Sequence, residues 1–220
     1  MRTLSKLAMH CGSRRAAYLL VLVLFMLAKS VTADVRDNVY SFGLATQNIY
    51  QVNYPNGTVT SLFANYPSAG GAATAAAGQR PSDGVIFYIA NYGNANQPVF
   101  TWNPATPATA PVQIGTTGAA VPYLPRAAFS ASGVLYAMDT NSTNLYTINQ
   151  STGAATSIGA ITGVPTNLGG DIAFGPDGVL YLVAGTNIYT VPLAGGAVSN
   201  LGAISGLNGG VAIEIGRAHV

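Results

Sequence analysis

The sequence predicts an all-β protein built from repeated four-stranded units, and three observations support this fold class. Residues 128–136 (AFSASGVLY) and 173–181 (AFGPDGVLY) align residue for residue at an offset of 45. One strand pattern occurs four times, at residues 48–53, 98–103, 144–149 and 187–192. Short β-branched and aromatic runs are separated by turn residues such as Asn-Gly and Asp-Gly. A repeat of this period indicates a solenoid or a propeller, in which each unit buries its apolar faces against its neighbours.

The predicted strands follow the same order in each unit. Units one to four cover residues 38–63, 72–115, 124–159 and 169–202 of a repeat region at 34–213. In unit one we expect strands at 39–42, 49–53 and 58–63, and in unit two an inner strand near 72–78 and a third strand at 98–103. In unit three we expect strands at 126–130, 134–139, 144–149 and 154–158, and in unit four at 171–175, 179–184, 187–191 and 197–201. Residues 72–78 are alanine-rich, and small side chains suit an inner strand where sheets converge.

The two ends of the repeat region are incomplete in opposite ways. Unit one has no first strand, whereas residues 209–213 repeat residues 169–173 as a lone first strand within a partial unit at 208–213. Either four blades close through this lone strand, or it opens a fifth blade. We favour the second interpretation. The prediction is therefore a β-propeller of four-stranded antiparallel blades, with about four blades present in an incomplete ring, rather than a sandwich or a parallel β-helix.

The turn in unit four carries a family resemblance. Residues 176–181 (PDGVLY) resemble the turn between the first two strands of NHL, YVTN and SMP-30/gluconolactonase-like propellers. The resemblance implies a propeller fold at the level of the blade. A gluconolactonase-like hydrolase would need Glu, Asp and Asn ligands around a divalent cation at the central channel, and residues 34–213 contain no Glu. The WD40 and kelch signatures are absent from the sequence.

The first 33 residues read as a cleavable secretory signal peptide. Four basic residues precede an uncharged apolar run at 18–28, and small residues at 31 and 33 suit a cleavage site. Eleven apolar residues are too few for a membrane-spanning helix, which needs roughly 20. We therefore expect a secreted or cell-surface protein with no membrane span in this chain. Cys11, the one cysteine, lies in this leader, so no disulfide is expected after cleavage.

Charge after residue 33 is sparse and negative. The formal charge of the whole chain is +2. Three arginines and six aspartates between residues 34 and 213 give about −3: Arg36, Arg80 and Arg126, with Asp34, Asp37, Asp83, Asp139, Asp171 and Asp177. A basic footprint for nucleic acid is missing. The same stretch has no His, Cys, Lys or Glu, so it lacks the usual general bases, nucleophiles and soft metal ligands. We predict no catalytic residue, no metal and no cofactor.

Two charged residues are the candidate binding site. Arg126 and Asp171 begin the inner strands of consecutive units, so both should lie near one mouth of the channel. They either bind a polar ligand or serve the fold as rim charges or an interblade salt bridge, and the second use is commoner. Trp102 either stacks on a ligand or fills a gap between blades. Three sequons make Asn56, Asn141 and Asn149 candidates for N-glycosylation in a eukaryote.

The last residues read as a non-native tail. Residues 214–220 contain the only Glu and the only His outside the leader. Ile215 to Val220 (IGRAHV) resembles the translation of a common sequencing adapter. The function we expect is a secreted, non-catalytic propeller that binds a protein or glycan as a monomer. The alternatives are an extracellular lactonase-like hydrolase or lyase with carboxylates on missing blades, and the ectodomain of a tethered surface protein.

Overall fold

A computed structural model of the chain describes residues 38–43, 47–53, 56–67, 76–90, 94–140, 143–166 and 168–205. This part of the chain contains sixteen β-strands and no helix, arranged as four mainly antiparallel sheets that form four blades of a β-propeller. The predicted fold class is thereby confirmed. No helix in the described ranges has the length and hydropathy needed to cross a bilayer.

The strands of each blade follow one another along the chain. Blade 1 contains β1 (Val39–Phe42), β2 (Ile49–Asn53) and β3 (Thr58–Phe63); blade 2 contains β4 (Ala76–Gln79), β5 (Ile86–Ile89), β6 (Pro98–Trp102) and β7 (Val112–Thr116). Blade 3 contains β8 (Arg126–Phe129), β9 (Leu135–Met138), β10 (Asn144–Ile148) and β11 (Ala155–Thr162); blade 4 contains β12 (Gly170–Phe174), β13 (Leu180–Ala184), β14 (Asn187–Val191) and β16 (Ser199–Ala203). Neighbouring strands pair antiparallel, as hairpin turns require.

The strand predictions hold for most elements. All three strands of blade 1 have the predicted bounds, and the alanine-rich segment forms the inner strand β4 over Ala76–Gln79. Its earlier residues, 72–75, lie outside the described ranges. The lone strand at 209–213, the signal peptide at 1–33, Asn141 and the tail at 214–220 also lie outside them.

The outer part of blade 4 differs from the prediction of one strand over 197–201. The backbone there forms two strands, β15 (Gly196–Ala197) and β16, which pair with different blades. β15 pairs parallel with β11 of blade 3, and β16 pairs antiparallel with β14. Gly195 and Gly196 have φ values of 81° and 108°, a left-handed backbone that glycine adopts without steric cost. This turn lets the chain reach blade 3 before it returns to blade 4.

Three apolar clusters join consecutive blades, because strand side chains alternate between the two faces of each sheet. Aromatic residues dominate the cluster between blades 1 and 2, which includes Tyr88, Phe100 and Trp102. Blades 2 and 3 share a mixed cluster. The cluster between blades 3 and 4 is mostly aliphatic, with Leu145 and Leu182 fully buried.

Candidate functional site

The loops of the propeller fall at two ends, because consecutive strands of a blade run in opposite directions. One end, which we call the arginine end, holds the starts of the inner strands β8 and β12 and therefore Arg126 and Asp171. The other end, which we call the turn end, holds the turns before the second and fourth strands of each blade. The sequence-predicted site residues thus lie together at the arginine end, on neighbouring inner strands.

Arg126 is 1% exposed and spends its donors on backbone carbonyls. Its Nε donates to the Gly170 oxygen at 3.3 Å, and its two terminal nitrogens donate to the oxygens of Leu168 at 2.7 Å and Asp139 at 3.3 Å. Leu168 precedes β12 and Gly170 is its first residue, so the guanidinium of blade 3 holds the chain as it enters blade 4. A planar group with five donors can satisfy several acceptors in one place.

Asp171 lies mostly buried next to this guanidinium. Its carboxylate accepts a hydrogen bond from the Ile172 amide at 2.8 Å and another from the Ala127 amide across the blade boundary. Arg126 and Asp171 are not within the 4 Å that defines an ion pair. They interact electrostatically at longer range, each held by backbone groups of the neighbouring blade.

Burial dominates the ionisation of both groups. It raises the pKa of Asp171 to about 7, against opposing effects of the Ile172 amide, Arg126 and the Ala127 amide. Burial lowers the pKa of Arg126, and the charges of Asp171 and Asp139 oppose that change. Desolvation disfavours whichever form is charged, which explains the two opposite directions.

Sequence reasoning did not identify Asp139 as part of this cluster, although it is fully buried there. Its carboxylate accepts a hydrogen bond from the Asn144 amide at 3.3 Å, while its backbone oxygen accepts from Arg126. The sequence did offer a signal for this position. Asp139 follows the second strand of the blade, which ends beside the start of the first strand, where Arg126 lies. Antiparallel pairing sets Arg126 opposite Met138, which precedes Asp139.

The remaining described charges also have partners within the fold. Arg80 pairs with Asp83 at 2.6 Å, donates to the Gln150 side chain of blade 3 at 2.9 Å and lies 5.0 Å from the Phe87 ring centre. Asp177 accepts from the Tyr181 hydroxyl at 2.9 Å and the Val179 amide at 3.1 Å. Both contacts of Asp177 lie within four residues of it and stabilise the Pro176-Asp177-Gly178 turn.

The arginine end does not suit a divalent cation. The described residues contain no group of three or more His, Cys, Asp or Glu side chains that could hold a metal. The Asp171 carboxylate already accepts two amide hydrogen bonds beside a buried guanidinium. Hard cations such as Ca²⁺ need six to eight oxygen ligands, and a neighbouring fixed positive charge would oppose them.

Two of the three sequon asparagines lie in described hairpin turns at the turn end. Asn56 and Asn149 are both exposed. The Asn56 side-chain oxygen accepts from the Thr58 amide at 3.2 Å and the Thr58 hydroxyl at 3.0 Å. That of Asn149 accepts from the Ser151 and Thr152 amides. Both side chains therefore stabilise their own turns.

Trp102 fills the space between blades 1 and 2. It is 2% exposed, and its ring meets that of Tyr40 edge to face, with centres 5.9 Å apart. Its indole N–H has no acceptor among the described residues. The packing role, rather than ligand stacking, agrees with this burial.

No family model and no curated protein sequence matches the chain. Solved structures match its fold. A catalytically inactive virginiamycin B lyase from Staphylococcus aureus with quinupristin has a TM-score of 0.55 and 16% identity, over 80% of this chain and 55% of the lyase. A gluconolactonase from Xanthomonas campestris has a TM-score of 0.54 and 14% identity, over 80% of this chain and 62% of the enzyme. An auxiliary nutrient binding protein from Bacteroides thetaiotaomicron has a TM-score of 0.54 and 10% identity, over 78% of this chain and 40% of that protein.

These likenesses show the fold, since every identity is at or below 16%. They agree with the blade-level resemblance to SMP-30-like propellers that residues 176–181 carry. The chain spans between 40% and 62% of the length of these three proteins. The same blade architecture supports enzymes and binding proteins alike.

Proposed function

We propose that this chain is an exported, non-catalytic propeller that binds a protein or glycan through neutral polar loops. One observation carries the proposal. All six charged side chains of the described residues are buried or paired within the fold: Arg80, Asp83, Arg126, Asp139, Asp171 and Asp177. Recognition must then use hydroxyl, amide and apolar groups, which suit a neutral ligand.

The turn end offers the loop best placed for this recognition. Residues 103–111 connect β6 to β7 and form the longest loop between third and fourth strands among the four blades. Thr106 and Thr109 are exposed on it. The Thr106 amide donates to the Asn103 oxygen and the Thr109 amide donates to the Thr106 oxygen, which fixes the two turns of the loop. Binding residues are often found on loops that a rigid scaffold positions. The arginine end, by contrast, uses its charged groups internally.

Export is part of the proposal and rests on the leader at residues 1–33. The nutrient binding protein among the structural neighbours is a precedent for a propeller of this kind that binds its ligand. The gluconolactonase and the lyase are precedents for catalysis. The arrangement of Asp171 and Arg126 does not favour a lactonase over a binding module.

A glycan microarray probed with the purified full chain tests this proposal. We expect saturable binding to a neutral glycan, weakened at least about tenfold by Thr109→Asp, since a charge in a neutral contact must lose solvent. Thr156→Asp, at an exposed threonine on the outer strand β11, is the matched control and should bind normally. The glycan should be recovered chemically unchanged by mass spectrometry. Turnover of the ligand, or equal loss of binding in both variants, would contradict the proposal.

A further inference from the structure

The outer strands of all four blades carry a β-bulge at the same place. In blades 1 to 4, the extra residues of these bulges are Leu62, Ile114, Ile158 and Leu201. In blades 2 to 4 a glycine with positive φ follows the extra residue: Gly115, Gly159 and Gly202. A bulge bends the strand and exposes its backbone to a close neighbour. We call this feature the socket.

The turn between the third and fourth strands of the following blade sits in the socket. Between blades 2 and 3, a Cβ built on Gly153 would lie 3.0 Å from the Gly115 carbonyl carbon, and a Cβ on Gly115 would overlap the Thr152 carbonyl. The Ala155 amide also donates to the Thr117 oxygen at 3.0 Å. Only glycine permits this approach of two backbones. We call the inserted turn the knob.

The boundary between blades 3 and 4 repeats this contact. A Cβ on Gly195 would lie 3.5 Å from the Gly159 Cα and 3.4 Å from the Ala160 oxygen. Ile158, the extra residue of the blade 3 bulge, packs half-buried against the cluster between these two blades. Two successive boundaries thus share one knob-and-socket arrangement.

No described residue occupies the socket of blade 4, and no described residue surrounds the knob of blade 1. A Cβ on Gly202 or on Gly57 would meet no atom within 4 Å. Leu201 is 57% exposed, whereas Ile114 and Ile158 at the equivalent positions are packed against clusters. Among the described residues, the open socket therefore lies on the last blade and the open knob on the first.

The outward face of blade 1 carries a second sign of a missing neighbour. Val39, Val52 and Val59 stand side by side across its three strands, by the pairing of Val39 with Val52 and of Val52 with Val59. Val39 is 40% exposed and Val59 is 61% exposed. The equivalent residues of blade 3, Leu135, Ile148 and Ala155, pack in the cluster against blade 2, as do those of blade 4 against blade 3: Leu180, Val191 and Val198. The valine row therefore occupies blade-interface positions.

We propose that blade 4 of one copy of this chain docks on blade 1 of a second copy through the vacant socket and knob. The contact would bury Leu201 and the valine row in the arrangement that the internal boundaries already show. No described charged side chain among these residues opposes it. Two copies joined at both ends give a closed ring of twice four blades, which is a two-fold assembly.

This inference goes beyond the proposed binding function and does not depend on it. It proposes a specific dimer, whereas the sequence alone led us to expect a monomer. Exposed apolar rows of this kind on a soluble protein mark interaction surfaces. A glycan on Asn56, next to Gly57, would block the knob, so the test uses protein from a bacterial host without N-glycosylation.

Sedimentation velocity of the full chain over a range of concentrations tests the dimer. Wild-type protein should be a reversible dimer. Leu201→Asp and Val59→Asp should each be monomeric at the same concentrations, with dimer dissociation constants raised roughly 30-fold or more. Val112→Asp is the control, since Val112 is 59% exposed on β7 with the next blade in place, and this variant should dimerise normally.

A mixture of the two monomeric variants gives the most specific result. Leu201→Asp retains an intact blade 1 face, and Val59→Asp retains an intact blade 4 socket, so an equimolar mixture should form a dimer through one unaltered junction. Circular dichroism checks that each variant is folded. A monomeric wild type, a dimer that survives Leu201→Asp, or a mixture that stays monomeric would overturn the proposal, because each result means that another surface or a further blade covers these faces.

Discussion

The interface between blades 1 and 2 and the interface between blades 3 and 4 use equivalent strand positions with different chemistry. Aromatic rings fill the first, where Tyr88 stacks on Phe100 with centres 5.0 Å apart and the Trp102 indole N–H has no acceptor among the described residues. Aliphatic side chains fill the second, and the buried Arg126 bridges its arginine end. One blade pattern therefore specifies the strands, while the residues between blades are free to vary in shape and polarity.

The two interfaces differ in how much of their stability depends on a single residue. At the boundary of blades 3 and 4, one side chain satisfies three carbonyls, so its loss leaves several buried acceptors unpaired. The aromatic interface spreads its stability over many ring contacts.

The largest effect is expected for Arg126→Met. Removing the guanidinium removes the hydrogen bonds that it donates to the carbonyls of Leu168, Gly170 and Asp139. This loss should lower the free energy of unfolding by about 3–5 kcal/mol. Urea denaturation followed by circular dichroism measures this. Arg80→Met is the control, because its ion pair with Asp83 is solvent-exposed, and it should cost about 1 kcal/mol or less. Equal losses of stability in the two variants would show that Arg126 contributes no more to the fold than a solvent-exposed ion pair does.

The next effect depends on pH and involves Asp171. Since the folded chain raises the pKa of Asp171 to about 7, it binds this proton more tightly than the unfolded chain does. Its contribution to stability is fully present below the unfolded pKa near 4 and is lost as pH rises through about 7. Asp171→Asn, which mimics the neutral form, should therefore stabilise the protein by roughly 2.5 kcal/mol more at pH 8 than at pH 5. Thermal melts at both pH values measure the difference, and a gain that does not change with pH would refute this ionisation.

A smaller effect is expected in the aromatic interface for Tyr88→Phe. The Tyr88 hydroxyl donates to the Pro67 oxygen at 3.1 Å, and its removal should cost about 1 kcal/mol. Urea denaturation measures the change. A loss as large as that of Arg126→Met would mean that this interface, too, depends on a single polar contact.

The smallest effect is expected for Trp102→Phe. Its indole N–H has no acceptor in the described part of the chain, so losing it removes a desolvation cost that partly offsets the lost ring area. We expect a change within about 1 kcal/mol, by the same denaturation experiment. A much larger loss would indicate that the N–H does have a partner.

The sequence predicts the strands of this propeller well because turn residues and alternating apolar residues are local signals. The Pro176-Asp177-Gly178 turn is an example, since Asp177 bonds within four residues of itself. Arg126 was found by its repeat position, but its partners at Leu168 and Gly170 are more than 40 residues away. The parallel pairing of β15 with β11 depends on the same kind of distant contact. The position of Arg126 could be predicted from the repeat, whereas its hydrogen-bond partners in the next blade could not.

We infer that the charged groups of the arginine end serve the fold rather than a metal-dependent reaction. Calorimetric titration of the full chain with Ca²⁺, in wild type and Asp171→Asn, tests it most directly. We expect no saturable binding at this end, and therefore identical titrations for the two proteins. Saturable Ca²⁺ binding that Asp171→Asn abolishes would contradict the claim and favour a lactonase-like hydrolase.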